Sequence, residues 1–228
     1  VVAEGSEYLH ACDPGPGEFA WEKPWFGGIR PWLEEEHERP LELERLECEI
    51  SGMEGALGSL PLKGWETRWK VDDERFGSLV LVWRVGLAPG LPLLHAAVEV
   101  EPLAGGTPPR GFAIRANLAP GGGREGVLMT CQRDPSVSVS RDHGGTWLIA
   151  GNWARMTGPG GEFVELHRLG SSQIWVEDYA REGCHVGVWE ATDACRTVET
   201  VWIFGSGSTA QDLSRAFSYG DTSLICRG

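Results

Sequence analysis

Residues 65–71 read WETRWKV, and this stretch decides the fold class. Uncharged and charged side chains alternate in it with a period of two: Trp65, Thr67, Trp69 and Val71 against Glu66, Arg68 and Lys70. Such a period is typical of a β-strand with one face in a core and a charged outer face. The stretch therefore predicts a half-buried strand in an antiparallel sheet.

The same period recurs along most of the chain and predicts about twelve strands in all. Residues 41–50 change phase, which indicates a β-bulge near Glu44 and Arg45, with a helix as the competing interpretation. The other predicted strands are 79–85, 94–100, 112–118, 127–132, 137–140, 146–149, 163–166, 173–176, 185–189 and 198–204. Gly and Pro separate them, without a helical stretch long enough for a β-α-β unit. We therefore predict an all-β fold, an antiparallel two-sheet sandwich.

One helix is predicted, at residues 209–218 near the carboxyl end. Ser208 and Gln211 have the spacing of a capping box, and Leu213, Ala216 and Phe217 share one helical face. A short C-terminal helix should pack on the sheet through that face.

Composition excludes several function classes. The 228 residues carry 33 acidic and 20 basic side chains, a net charge of −13, whereas nucleic-acid binding needs a positive surface. The longest apolar run, 79–83, is far shorter than the roughly 20 residues of a membrane helix. The chain begins without a basic region followed by an apolar one, so no signal peptide is visible, which slightly favours a cytoplasmic location.

Neither a metal nor a cofactor is predicted. The six cysteines include no C-x-x-C pair, although Cys184 and Cys195 are candidates for a disulfide across neighbouring strands. Glu165 and His167 share a strand face, but the pair lacks a third metal ligand.

The first 40 residues differ in composition from the rest, being rich in Pro, Gly and Trp. We predict an aromatic segment, 1–40, packed on a sandwich domain, 41–228. Trp25 and Trp32 are candidates for a saccharide platform, since aromatic faces stack on the C–H surface of a sugar ring. Alternatively, the two rings plug the open end of the sandwich.

Residues 140–147 read SRDHGGTW and resemble the Asp-box, S-x-D-x-G-x-T-W, of sialidase-type propellers and other β proteins. We expect a folded hairpin in which Asp142 accepts hydrogen bonds from the turn, Gly144 adopts a positive φ and Trp147 anchors the returning strand. The resemblance implies a structural role. A ligand contact by His143 is the alternative.

Polar residues on the predicted strands are further site candidates. Arg115 and Asn117 share a face by the period of two, and His95 and Arg115 interrupt otherwise apolar strands. The predicted ligand-binding residues are Trp25, Trp32, His95, Arg115, Asn117 and Glu177, with His167 and Asp178 as further polar candidates. The remaining strand tryptophans, Trp65, Trp69, Trp83, Trp175, Trp189 and Trp202, are assigned to the core.

The predicted architecture, a long antiparallel sandwich with an aromatic N-terminal loop and a short C-terminal helix, resembles the galactose-mutarotase-like β-supersandwich. The resemblance covers about 41–217 and implies the fold of sugar epimerases and of accessory domains in glycosidases and polysaccharide lyases. No Asn-His pair of the epimerase type is present, so no catalytic residue is carried over.

Three functions are compatible with these observations. The first is a carbohydrate-recognising sandwich that binds a saccharide or small polar ligand, for example as an accessory domain of a sugar-processing enzyme. The second is a catalytic sugar epimerase or hydrolase, with His95 or His167 close to Glu177 or Asp178 as an acid–base pair. The third is a structural or protein-interaction domain without a small-molecule site. Whether the chain is an enzyme, and its oligomeric state, stay open.

Overall fold

The structure is a computed structural model, and it describes 2–3, 6–7, 28–33, 41, 43–103, 112–118, 128–131, 134–140, 146–158, 160–170, 173–179, 183–189 and 196–218. Its elements are the strands β1 (Val2–Ala3), β2 (Ser6–Glu7), β3 (Gly28–Leu33), β4 (Cys48–Leu57), β5 (Leu60–Asp73), β6 (Gly77–Leu87), β7 (Leu93–Pro102), β8 (Phe112–Leu118), β9 (Leu128–Cys131), β10 (Asp134–Ser140), β11 (Thr146–Ala150), β12 (Trp153–Thr157), β13 (Phe163–Leu169), β14 (Gln173–Tyr179), β15 (Gly183–Trp189) and β16 (Thr197–Gly205), a 3-10 turn (Leu43–Arg45) and the helix α1 (Ser208–Ser218).

Two antiparallel sheets make up the sandwich. The strands β1 and β2 pair only with each other and form a separate two-stranded ribbon. The larger sheet has nine strands in the order β10-β9-β12-β13-β16-β7-β6-β5-β4, and the smaller has five in the order β11-β14-β15-β8-β3. The all-β, two-sheet prediction is confirmed, as is the single short C-terminal helix.

The WETRWKV stretch lies within β5, which pairs with β6 from Lys63 opposite Leu87 to Asp73 opposite Gly77. Thr67 and Val71 are buried, as the alternation predicts. Trp65 departs from the core assignment because its side chain is 44% exposed. Its partner on the edge strand β4 is Gly52, which offers no side chain to cover the ring.

The main core lies between the two sheets and takes alternate residues from each. Trp202, Leu81 and Val98 come from the larger sheet, and Ile114 and Ile174 from the smaller, all fully buried. Trp202 Nε1 donates a hydrogen bond of 2.9 Å to Thr200 Oγ1, so the indole is buried with its polar atom satisfied. The core prediction for Trp83 and Trp202 is confirmed.

A second apolar cluster covers part of the opposite face of the nine-stranded sheet. Ala210 and Leu213 of α1 pack there against Phe163, Val201 and Ile203. The helix therefore closes one portion of the sheet's outward face, as its amphipathic pattern predicts.

The predicted bulge at 41–50 is wrong. A 3-10 turn occupies Leu43–Arg45, and the backbone N–H of Leu46 donates to the Leu43 carbonyl at 3.0 Å. Residues three apart lie on the same side of such a turn, which brings Leu43 and Leu46 together onto the core. The strand β4 begins only at Cys48 and extends to Leu57.

The predicted hairpin at 140–147 is also wrong, because the strands on its two sides belong to different sheets. β10 pairs with β9 at one edge of the nine-stranded sheet, whereas β11 pairs with β14 at one edge of the five-stranded sheet. Turn residues favour a change of chain direction without selecting the strand that each flank pairs with. Residues 141–145, with Asp142, His143 and Gly144, lie outside the described residues.

Sequence analysis did not predict four of the strands, namely β1, β2, β3 and β12. β12 pairs with β9 and β13, and β3 pairs with β8 at the edge of the smaller sheet. Part of the predicted aromatic segment 1–40 thus contributes a strand to the sandwich.

Candidate ligand-binding face

The outward face of the five-stranded sheet carries most of the predicted site residues. Ile114, Ala116 and Ile174 are buried on the inner face, toward the main core. Because successive residues of a strand alternate between faces, Arg115 and Asn117 are placed on the outward face. We call this surface the outward face of the smaller sheet.

Cross-strand register arranges this face in rows. The first row contains, as direct partners from strand to strand, Gly28, Asn117, His185, Glu177 and Trp147. The second contains Arg30, Arg115, Gly187, Trp175 and Ile149, and the third Trp32, Ala113, Trp189 and Gln173. Neighbouring strands lie about 4.8 Å apart, so each row is a short, nearly straight line across the sheet.

Four of the six predicted ligand-binding residues therefore share one face: Trp32, Arg115, Asn117 and Glu177. They come from β3, β8 and β14, which are far apart in the chain and adjacent or nearly so in the sheet. Trp25 lies outside the described residues. His95 is on the other sheet, in β7.

Sequence analysis missed His185 and assigned Trp175 to the core. Register places both on the outward face, since His185 is the partner of Asn117 and Trp175 follows the buried Ile174. The signal was available in 185–189, where His, Gly and Trp alternate with two valines. The alternation in 173–176 likewise separates Trp175 from Ile174.

The composition of this face suits recognition of a polar ring compound. Indole surfaces stack on apolar C–H faces, while Arg, Asn, His and Glu side chains supply directed hydrogen bonds to hydroxyl groups. These residue types lie side by side in two adjacent rows.

The outward face of the nine-stranded sheet has a different character, with charged residues in contact with one another. Arg84 donates to Glu66 Oε2 and to Glu99 Oε2, each at 2.7 Å, and Arg68 donates to Glu101 Oε2 at 2.7 Å. Burial works to raise the pKa of the Glu66 carboxyl, but hydrogen bonds from Arg84 and Arg68 lower it below its ordinary value. We call these five residues the ionic ladder.

His95 lies on the same outward face, beside the ladder. Its Nε2 is 2.6 Å from Glu199 Oε1, and its buried Nδ1 is without a hydrogen-bond partner among the described residues. The hydrogen bond from His95 lowers the pKa of Glu199, against the opposing effect of burial. The pair is half open to solvent, because the Glu199 side chain is 42% exposed.

A buried charged cluster lies further along this face, next to α1. Glu165 Oε2 is 2.5 Å from Arg155 Nε, and Glu165 Oε1 is 2.5 Å from His167 Nε2. The Arg155 guanidinium also donates to Ser214 of α1 and stacks 4.2 Å above the Phe163 ring. We call Arg155, Glu165, His167 and Ser214 the helix-base cluster.

Opposing effects set the pKa of Glu165, whose side chain is only 1% exposed. Burial raises the pKa, whereas the hydrogen bond from His167, the charges of His167 and Arg155, and the Ser214 hydroxyl lower it. The effects that lower the pKa together exceed the effect of burial, so the pKa of Glu165 lies below its ordinary value. The carboxylate is thus held ionised by partners inside the protein.

The carboxylates bound by the two candidate histidines are therefore Glu199 for His95 and Glu165 for His167. His95 and His167 lie in β7 and β13 of the larger sheet, whereas Glu177 and Asp178 lie in β14 of the smaller sheet, so strand pairing does not bring these predicted acid–base partners together. Within the described ranges no group of three or more His, Cys, Asp or Glu residues could hold a metal ion. No helix in that part of the chain is long and apolar enough to cross a membrane.

Among solved structures, the chain is similar to an alpha-N-acetylgalactosaminidase from Bifidobacterium bifidum. The ligand-free enzyme superposes with a TM-score of 0.57 at 11% sequence identity, over 88% of this chain and 34% of that chain. Its GalNAc complex gives a TM-score of 0.55 at 12% identity, over 88% and 34% of the two chains. Neither a family model nor a curated protein sequence matches this chain.

At this level of identity the similarity concerns the fold. The chain spans about a third of the length of the enzyme it matches. It shares the β-rich fold of one part of a sugar-processing enzyme.

Proposed function

We propose that the chain is a carbohydrate-recognising β-sandwich of the galactose-mutarotase-like type, acting as an accessory domain of a sugar-processing enzyme. One observation carries the proposal: Trp32, Arg115, Asn117 and Glu177, selected from the sequence alone, converge on the outward face of the smaller sheet. The similarity to one part of a glycosidase supports the sugar-related assignment.

The outward faces of the two sheets carry different sets of residue types. On the larger sheet the ionic ladder and the helix-base cluster supply a structural reason for the charged residues named there. Those groups already hold partners inside the protein, and a ligand would have to displace them. The rows around Asn117 and Arg115 combine aromatic, amide, basic and acidic residue types, which is the composition expected for a sugar-binding surface.

The test is a saccharide titration, guided by a glycan-array screen. Trp175→Ala and Asn117→Ala should each weaken binding by about 1–2 kcal/mol, because a stacking surface or a pair of directed hydrogen bonds is removed. Trp65→Ala is the matched control, since Trp65 is half exposed on the other sheet. Wild-type protein that binds no saccharide across the array, or equal losses with Trp65→Ala, would reject the proposal.

The pairing of β14 with β15 also favours the catalytic alternative, an epimerase or hydrolase. His185 is the direct cross-strand partner of Glu177, and directly opposed residues have Cα atoms about 4.5–5.5 Å apart. A histidine and a carboxylate at this separation suit acid–base work on a sugar. Glu177→Gln should then abolish turnover of a saccharide while leaving its binding nearly intact. If the wild-type chain turns over no saccharide, the catalytic alternative is rejected and carbohydrate recognition remains the proposed function.

A further inference from the structure

We propose that the chain forms a two-fold symmetric dimer in which strand β4 pairs antiparallel with β4 of a second copy, with Gly52 at the axis. The nine-stranded sheets of the two copies then continue into each other as one sheet. This interface lies on the larger sheet, and the inference does not rest on the proposed function.

Strand β4 is an edge strand of the larger sheet, and its outer backbone edge is open. It pairs with β5 over its full length, from Cys48 opposite Trp69 to Leu57 opposite Leu60, without a register shift. Within the described ranges no other strand pairs with it. Edge strands are usually protected by a short length, a bulge, Pro or Lys. β4 reads CEISGMEGAL and has none of these features, so its free N–H and C=O groups can pair with another strand.

Exposed apolar side chains border this edge. Among the described residues four large hydrophobic side chains are exposed, and three of them come from β4, β5 and β6: Ile50 at 70%, Trp65 at 44% and Leu87 at 48%. Val85, the direct partner of Trp65, is buried in the main core. Because alternate residues share a face, all three exposed side chains lie on the side of the sheet that carries this core. The core therefore ends before β4, and a second copy can cover these side chains.

The glycine beside Trp65 determines the register. A two-fold axis perpendicular to a sheet keeps every residue on its own face, so one residue must stand opposite its own copy. With Gly52 in that place, the two Trp65 side chains are three strand spacings apart, about 14 Å. A Cβ added at Gly52 meets nothing within 4 Å, so each indole can extend over the two glycines toward the other. Aromatic side chains stabilise edge glycines in this way.

The Gly52 register gives nine facing residues on each strand, with Cys48 opposite Ala56 at both ends. Alternate facing pairs exchange two hydrogen bonds, so the contact has about eight to ten of them. A typical protein interface has about ten. The strand edge is about 31 Å long and about 10 Å wide, or about 300 Å² per copy before side chains are added. This size is at the low end of specific interfaces, for which we expect a dissociation constant of about micromolar order.

The charges on β4 permit this register. Glu49 stands opposite Gly55 and Glu54 opposite Ile50, so no two carboxylates face each other. The two copies of Glu54 are about 14 Å apart, beyond the screening length of about 8 Å at physiological salt. Each of them also pairs with Lys63 of its own chain at 3.5 Å. The net charge of −13 on each copy opposes association, so the dimer should become tighter as salt rises from low concentration.

The first experiment is sedimentation velocity on the full chain across the micromolar concentration range. We expect the average mass to rise from the 24.9 kDa of one chain toward twice that value. A mass that stays at one chain over the whole range would overturn the proposal. A mass that grows beyond two chains would also overturn it, because a two-fold pairing of β4 closes after two copies.

Two matched lysine variants then test the register. Gly52→Lys places two like charges opposite each other at the axis and should weaken the dimer about tenfold or more. Gly55→Lys is the control, because it lies opposite Glu49 of the second copy and should leave the dimer unchanged or tighter. At both glycines an added Cβ meets nothing within 4 Å, so the denaturant midpoints of the dilute variants should equal that of the wild type. Equal weakening by both variants would overturn the Gly52 register.

A cysteine pair measures the same register directly. Cys48 is an exposed free thiol, and Ala56→Cys places a thiol opposite Cys48 of the second copy. Facing Cα atoms are about 4.5–5.5 Å apart, which suits a disulfide. Mild oxidation should therefore convert Ala56→Cys into a covalent dimer that a reductant reverses.

The wild type and Ala56→Cys combined with Cys48→Ser are the controls, and neither should cross-link. Failure of Ala56→Cys to cross-link at concentrations where the wild type is dimeric would overturn the Gly52 register. Cross-linking by Met53→Cys combined with Cys48→Ser would also overturn it, since Met53 would then stand at the axis.

Discussion

The two outward faces of the sandwich differ in the residue types that the strands place next to one another. On the nine-stranded sheet, Arg84 bridges Glu66 and Glu99, and Glu165 is held by Arg155 and His167. On the five-stranded sheet, register aligns Asn117, His185 and Glu177 with aromatic residues across adjacent strands. The first pattern satisfies charges within the protein, and the second is the pattern we propose for a ligand.

The difference shows how a polar residue inside an apolar strand should be interpreted. His167 interrupts β13 as His95 interrupts β7, yet both bind a carboxylate of their own sheet. For His167 the reason is structural, since the helix α1 covers it and the Phe217 ring lies 5.5 Å from its imidazole. An isolated histidine on a strand therefore indicates a site only when its register neighbours are suited to a ligand.

The largest expected effect concerns the helix-base cluster. Glu165→Gln should reduce the free energy of unfolding by about 3–5 kcal/mol, because it leaves Arg155 and His167 next to a neutral group in a buried site. The denaturant midpoint measures this loss. Asp212→Asn is the control, since Asp212 pairs with Arg215 on the exposed side of α1 at 3.5 Å. Comparable midpoints for the two variants would show that the cluster does not stabilise the fold.

Acidification should remove the stabilisation that the ionised Glu165 carboxylate gives to the fold. The pKa of Glu165 is lower in the folded chain than its ordinary value of 4.5, so its stabilisation is complete above pH 4.5 and is lost as pH falls through the folded value. The difference in unfolding free energy between wild type and Glu165→Gln should therefore shrink below pH 4.5. Urea midpoints from pH 7 to pH 3 test it. A difference that stays constant over this range would contradict the assignment of the ionised carboxylate.

The fold class was predictable because it depends on local periodicity. β5 to β8, β13 to β16 and α1 carry a clear period of two or an amphipathic helical face. β12 was missed since Trp153–Thr157 mixes Arg, Met and Thr without a strong alternation. The turn at Leu43–Arg45 was misread because a 3-10 turn and a bulge both shift the phase by one residue.

The candidate site was predictable only in part, for a different reason. The residue types were identified from local sequence, but their meeting on one face depends on β8 pairing with both β3 and β15, and β15 with β14. β14 and β15 follow each other in the chain, but β3, β8 and β15 are far apart along it. Residues 140–147 show the same limit, since their turn signature held no information on the sheet that each flank joins.

A smaller effect is expected for His95 and Glu199. Glu199→Gln should lower the free energy of unfolding by about 1 kcal/mol, the value of a charge-assisted hydrogen bond discounted for a carboxylate that is 42% exposed. Saccharide affinity should not change, since this pair lies on the sheet opposite the proposed site. Thermal and denaturant midpoints, with one titration, measure both quantities. A selective loss of saccharide binding would move the site to the larger sheet.

The smallest effect is expected at the edge strand β4. Lys63 and Glu54 are 3.5 Å apart across β4 and β5, with side chains 70% and 81% exposed. Solvent and salt screen such a pair, and ordering two long side chains opposes the attraction. Glu54→Gln should therefore leave the denaturant midpoint unchanged within error, at both low and high salt, whereas Arg84→Gln should lower it, because Arg84 is held by two carboxylates and is less exposed. If both variants lower the midpoint equally, the partial burial of Arg84 is not the reason that the ionic ladder stabilises the fold.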